Sequence, residues 1–247
     1  MLKIIGHKTG SAIYPGNSME GLVGCYKSGA YGIECDIVFG ENGEITIPQN
    51  GNKDNQKKLR IENVWDFLFE RPDIKIFFDI KFYNTGLSIG AINHLSGHFQ
   101  TISNDQLRFL KKKVIDPAIL YGMSDRIGFV TFMGGLKLLK LAKKSDRAIS
   151  TYLIVILPWL GKFPWTDFEN HWEFIDAIII GWDRINQWKF FPKSLRKIIR
   201  EARINGKEAH GGLANSRKEV LWLLGCRLDG IWTDRVSETS QMVFFND

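Results

Sequence analysis

The chain has 247 residues, 44% of them hydrophobic and 24% charged, with a formal net charge of +6. That length suits one domain around one core, and the composition excludes long disorder and a fibrous class. The Lys and Arg residues are scattered through helix-like segments instead of forming a block, which argues against nucleic acid as a partner; Lys111, Lys112 and Lys113, the densest run, read as a solvated helix face.

The amino terminus, MLKIIGH, is too short an apolar run for a secretory core, and no stretch approaches the roughly 20 apolar residues of a membrane span, so a cytoplasmic protein is expected. Leu2 to Ile5 is apolar and ends at Gly6 and His7, and Met19 to Lys27 has helical spacing, which predicts a first strand and helix. Tyr31 to Phe39 is a second strand. Asn42-Gly43 is a turn signal, after which Glu44 to Ile47 returns as an extended segment. Beyond the polar stretch from Gln49 to Lys58, Ile61 to Glu70 is predicted helical, and Pro72 introduces a strand from Ile74 to Ile80. A helix over Asp105 to Leu120, a strand over Ile127 to Thr131 and a helix over Gly134 to Lys144 follow. Further strands are predicted at Ile149 to Ile156, Ala177 to Gly181, Lys207 to Gly211 and Gly230 to Thr233, separated by helices at Trp165 to Phe174, Pro192 to Asn205 and Ser216 to Leu224. Eight strands alternating with helices, with no Pro-, Gly- or Ser-rich linker, predict one α/β domain over 1–247: a parallel sheet closed into a (β/α)8 barrel. Cys25, Cys35 and Cys226 are far apart in sequence, form no pair at metal-ligand or redox spacing, and read as buried or bystander thiols in a reducing compartment.

In such barrels the reacting groups come from the carboxyl ends of the strands. His7 ends the first strand, Glu34 and Asp36 lie on the second, and Asp79 and Lys81 close the third. Within each pair the two residues alternate by two, so they point to one face. Three carboxylates converging inside a barrel need a cationic partner, and an oxygen-liganded Mg2+ or Ca2+ is the simplest. Pairing of the acids with Lys81 and Lys8, or an outward orientation of some of them, is the alternative.

The stretch IIGHKTGSAIYPGNSMEGL followed by GAYGIECDIVFGENGEITI resembles the opening of the glycerophosphodiester phosphodiesterases, whose pattern runs H-R-G, P-E-N-[ST], G-x-E-x-D and H-D. FFDIK resembles that family's strand-three E-x-K, HGGLAN its W-T-V-N segment and DGIWTDRV its closing D-G-x-x-T-D, colinear across nearly the whole chain. The resemblance implies a barrel of the phospholipase C-like phosphodiesterase type. It further implies that His7 is one of two acid/base histidines, that Glu34, Asp36 and Asp79 hold the metal, and that Lys81 contacts the phosphate, with Lys8 and Gln49 at neighbouring substrate-binding positions. In the family a substrate hydroxyl next to the phosphate attacks first and gives a cyclic phosphate. The chain also departs from the pattern: Gln49-Asn50 stands in place of H-D, Lys8 in place of arginine, Gly16 in place of glutamate, Asp79 is one methylene shorter than glutamate, and Gly212 replaces tryptophan.

Glutamine cannot give and recover a proton at neutral pH, so the acid/base pair is broken at Gln49. His210, on the seventh strand, is a candidate stand-in, against the alternative of a core histidine. His94, His98 and His171 are given no role. LPWLGKFPW, after the fifth strand, brings Trp159, Phe163 and Trp165 together, either for peripheral membrane or acyl-chain contact or as a self-packed loop. Two functions are therefore expected: a metal-dependent phosphodiesterase acting by hydrolysis or transfer on a small glycerophosphodiester-like substrate, or a silent barrel that binds a phosphodiester or sugar phosphate. The oligomeric state is not legible.

Overall fold

A computed structural model describes residues 2–40, 44–48, 59–82, 100–156 and 171–245. Runs such as KIFFDIK and STYLIV are buried on both faces, as strands enclosed between a barrel interior and a helical layer must be. The strands are β1 (Lys3–Gly6), β2 (Gly32–Phe39), β3 (Ile45–Thr46), β4 (Lys75–Lys81), β5 (Ile127–Thr131), β6 (Ser150–Val155), β7 (Ala177–Ile180), β8 (Glu208–Gly211) and β9 (Gly230–Thr233). Strand β1 pairs in parallel with both β2 and β9, which closes the sheet into a barrel of eight parallel strands. The ninth strand, β3, folds back antiparallel on the end of β2, as the Asn42-Gly43 turn signal predicts. All eight parallel strands lie within one residue of their predicted ends.

Helix α1 (Met19–Lys27) starts where Ser18 Oγ accepts the Gly21 N–H at 3.0 Å, and α2 is Ile61–Glu70. The single helix predicted over Asp105 to Leu120 is instead α3 (Asn104–Leu110), a wide π turn over Lys111–Ile115 and α4 (Asp116–Leu120). Pro117 explains the break: it has no N–H for the preceding turn, and the Asp116 N–H bonds to the Lys111 carbonyl, one residue beyond the α-helical partner. Lys111, Lys112 and Lys113 are exposed, as read. Helix α5 (Leu136–Ser145) begins after a tight turn at Met133–Gly135, and α6 (Pro192–Ile204), α7 (Arg217–Gly225) and α8 (Val236–Phe244) complete the outer layer. Of the helix predicted at Trp165 to Phe174, the described part is one 3-10 turn, Trp172–Phe174. No described helix is long and apolar enough to cross a membrane.

Inside the barrel the side chains stack in layers. Phe77 on β4 fills the middle, with ring centroids 4.8 Å from Tyr152 and 5.4 Å from Trp232. Its neighbours on β2 and β5 make room by having no side chain: a Cβ at Gly32 would lie 2.4 Å from the ring, and one at Gly128 2.5 Å. This aromatic layer is the floor beneath the polar residues at the strands' carboxyl ends.

Candidate functional site

Strand β1 ends at Gly6, and the chain turns at once through His7, Lys8 and Thr9. Lys8 and Thr9 have φ of 44° and 57°, Asn17 57° and Trp182 48°, so four of the five described non-glycine residues with positive φ surround this mouth. Such backbone costs on the order of 1–3 kcal/mol per residue and persists where surrounding bonds over-determine it. The bonds are visible: the Lys8 N–H donates to Glu34 Oε2 at 2.6 Å, the Ser18 N–H to Thr9 Oγ1 at 3.1 Å, and the Asp36 N–H to Asn17 Oδ1 at 3.0 Å. Asn17 Nδ2 donates in turn to Asp36 Oδ2 at 3.1 Å and to the Pro48 carbonyl at 2.9 Å.

Strand register places Asp36 directly opposite Asp79, with Glu34 one step lower on the same face of β2. One oxygen from each of Glu34, Asp36 and Asp79 lies within 4.8 Å of the others, and all three side chains are buried. Lys81 Nζ is 3.1 Å from Asp36 Oδ1 and hydrogen-bonds Asp79 Oδ2, while Lys8 Nζ is 3.7 Å from Asp36 Oδ2. Both expected lysine pairings are thus present, yet three carboxylates face two ammonium groups. Glu34 Oε1 and Asp79 Oδ1 are buried without a hydrogen-bond partner among the described residues. Burial, and then the charges of Asp36 and Asp79, push the Glu34 carboxyl well above its usual range. Burial also raises Asp79, in spite of Lys81. At Asp36 burial acts in the same sense but is outweighed by Lys81, Lys8 and His7, which hold that carboxyl down. Hard oxygen donors, orphaned lone pairs and an excess of negative charge fit an ion such as Mg2+ or Ca2+.

His7 faces this trio. Its Nδ1 is 2.8 Å from Asp234 Oδ1, and Asp234 also accepts from Ser11 Oγ at 2.5 Å and from the Asn215 side-chain amide. The Asp234 N–H donates to Asn215 Oδ1 at 2.8 Å, which fixes the carboxylate from behind. Burial works against ionisation of Asp234, but the bonds from His7, Ser11 and Asn215 take its carboxyl down to about 2. An ionised carboxylate only accepts, so His7 donates from Nδ1 to Asp234 and leaves Nε2 as the nitrogen that faces the trio. That Nε2 is buried, unpartnered among the described residues, and 3.9 Å from Glu34 Oε2. Trp182 closes one wall, edge-on to His7 with centroids 5.2 Å apart and with Lys81 Nζ 5.9 Å from its ring.

The structure therefore brings together His7, Lys8, Glu34, Asp36, Asp79 and Lys81, and adds Asn17, Asp234, Asn215, Ser11 and Trp182. Asn17, Ser11, Asn215 and Asp234 lie inside the stretches IIGHKTGSAIYPGNSMEGL, HGGLAN and DGIWTDRV that carry the resemblance, so a signal for them existed; Trp182 carried none. Gln49, Trp159, Phe163, Trp165, His94 and His98 lie outside the described residues. His210 is not a stand-in. It is fully buried, accepts from Trp232 Nε1 at its Nδ1 (3.2 Å) and meets Glu208 through Nε2 (2.9 Å), and Glu208 pairs with Lys3 at 2.5 Å at the strands' amino ends. Burial lowers the pKa of this imidazole, and with Nδ1 accepting, the neutral ring uses its one proton on Glu208. Both nitrogens are committed away from the mouth.

No family model matches the sequence, and no curated protein does. Solved structures do match the fold. A protein from Silicibacter pomeroyi assigned as a glycerophosphoryl diester phosphodiesterase superposes with a TM-score of 0.70 at 13% identity, over 100% of this chain and 94% of that one. A glycerophosphodiester phosphodiesterase from Parabacteroides distasonis gives 0.66 at 13% identity, over 99% and 98%. A phosphodiesterase from Oleispira antarctica, in complex with the product sn-glycerol-3-phosphate, gives 0.63 at 12% identity, over 98% and 96%. The chain has the (β/α)8 barrel fold of these phosphodiesterases.

Proposed function

We propose that the chain is a metal-dependent phosphoric diester hydrolase or transferase acting on a glycerophosphodiester-like substrate. One observation carries this reading: a buried carboxylate trio with orphaned oxygens stands against a histidine whose far nitrogen is clamped by a carboxylate. The fold neighbours support it, as does the sn-glycerol-3-phosphate product named for the Oleispira protein.

In this reading Glu34, Asp36 and Asp79 hold a divalent cation, Mg2+ or Ca2+, which when bound polarises the phosphodiester and offsets its charge. Lys81 and Lys8 add positive charge beside the phosphate, and Gln49 is assigned to substrate binding from sequence position. A substrate hydroxyl next to the phosphate attacks phosphorus, a new P–O bond forms, the bond to the leaving alcohol breaks, and a cyclic phosphate and an alcohol result. His7 Nε2 takes the proton of the attacking hydroxyl or returns one to the leaving oxygen, while Asp234 holds the ring in the required tautomer. Trp182 packs against the His7 ring and helps to hold it in place.

The silent-barrel reading is favoured by one feature, Gln49 where the resembling family has its second histidine. Product release from a panel of glycerophosphodiesters with Mg2+ or Ca2+ separates the two. The enzyme reading predicts glycerol phosphate or a cyclic phosphate from wild type and none from His7→Ala. No turnover by wild type, with gain by Gln49→His, would establish the silent barrel. A cytoplasmic location and a membrane or acyl-chain role for Trp159, Phe163 and Trp165 belong to the same proposal.

A further inference from the structure

On the outer wall of the barrel, helices α6 and α7 leave a groove of about 640 Å3 between them. Its floor is apolar, made chiefly by Leu195, Ile199 and Trp222, and its rim carries Arg196, Arg200, Arg203 and Arg227, with no carboxylate among the lining residues. The pattern follows from helical periodicity. Leu195, Ile198, Ile199 and Ala202 face the barrel, while Arg196, Arg200 and Arg203 stack as i, i+4 and i+7 on the exposed side. Like charges at that spacing oppose helix formation; Arg203 is tied back by donating to the Arg227 carbonyl, which leaves Arg196 and Arg200 as the outward pair. Glu201 meets Arg200 only at 3.6 Å.

Ile204, which lines the groove, is 70% exposed, and Phe190, two residues before α6 begins, is 81% exposed. Lys189 Nζ lies 5.2 Å from the Trp222 ring. The groove also adjoins the catalytic mouth along the chain: the run Trp182–Phe190 starts against His7 and ends at Phe190, anchored near its end where Trp188 Nε1 donates to the Ile156 carbonyl at 2.6 Å. Arginines that keep aliphatic stems over an apolar floor, beside exposed Phe and Ile, match a phosphate-rich surface with hydrocarbon beneath it.

We propose that this groove docks the protein on bilayers of anionic phospholipid, which goes beyond the diesterase reading and does not depend on it. A second cation-lined surface, between α3 and α5 with Arg108, Lys111, Lys137 and Lys144, lacks exposed aromatic residues and serves as a charge-matched comparison. The experiment is co-sedimentation with phosphatidylcholine vesicles, with and without phosphatidylglycerol, using the whole chain as wild type, as Arg196→Glu with Arg200→Glu, and as Lys137→Glu with Lys144→Glu. All four positions are exposed, and a melting curve checks that each variant is folded. Wild type is expected to bind only phosphatidylglycerol vesicles, the arginine pair to weaken binding by about tenfold or more, and the lysine pair to change it by less than about threefold. No binding by wild type, or equal loss in both variants, would overturn the proposal. So would binding of an oligonucleotide, but not of vesicles, that the arginine pair alone abolishes, since the groove would then serve nucleic acid.

Discussion

Asp234 shows how much of the chemistry rests on a residue that never touches the trio. Its carboxylate fixes the His7 tautomer, and an amide in its place could present an N–H to Nδ1 and move the proton to Nε2. Asp234→Asn is therefore expected to lower kcat by about 10²- to 10⁴-fold, by comparison with the aspartate of a serine-protease triad, while the fold survives. The same residue has a stability signature. Its pKa is depressed from 3.8 to about 2 and its side chain is only 13% exposed. A depressed carboxylate stabilises the fold above its unfolded pKa and loses that contribution as the pH falls through the folded value. Denaturant melts should show wild type more stable than Asp234→Asn by on the order of 2 kcal/mol near neutrality, with the gap closing between about pH 4 and pH 2. A gap that stays constant over this window would show that the difference has another origin. At this scale Glu34, Asp36, Asp79 and Lys81 were legible from strand parity. Asp234 and Asn215 were not assigned, because they lie past strand ends where periodicity gives no direction, and Trp182 sits in a turn without any motif.

Among the elements, the strands were the most legible because most are apolar runs bounded by a turn, as a parallel barrel buries both faces; β8, with Glu208 and His210, is the least apolar of them. The helices were less so. Pro117 converts the middle of one predicted helix into a π turn, and α8 was missed although Val236, Thr239 and Val243 are buried at helical spacing, since its polar residues mask the stripe. The packing of strands on one another depends on glycines whose role appears only in three dimensions. A Cβ at Gly128 would meet Phe77 at 2.5 Å and the Ser150 Cβ at 3.1 Å. Gly128→Ala should cost about 1–3 kcal/mol in chemical denaturation. If stability were unchanged, the tight seat of Phe77 beneath the acids would be refuted.

For the molecule as a whole, the interior is graded along the barrel axis: the Lys3–Glu208 pair at one end, the ring layer of His210, Tyr152, Phe77 and Trp232 in the middle, and the acidic site at the other. The aromatic floor deprives the carboxylates of solvent on one side, which raises what a bound cation contributes to stability. Mg2+ or Ca2+ should accordingly raise the Tm of wild type, and leave Glu34→Gln combined with Asp79→Asn unmoved; an equal rise in both would mean the ion binds elsewhere. The measurement that reaches the central claim most directly is turnover of a glycerophosphodiester before chelation, after chelation and after return of the cation, in wild type and Glu34→Gln. The predicted result is turnover by wild type that disappears with the chelator and returns with the ion, and little at any stage from Glu34→Gln. Turnover that survives chelation, or that Glu34→Gln retains in full, would contradict a reaction built on this trio.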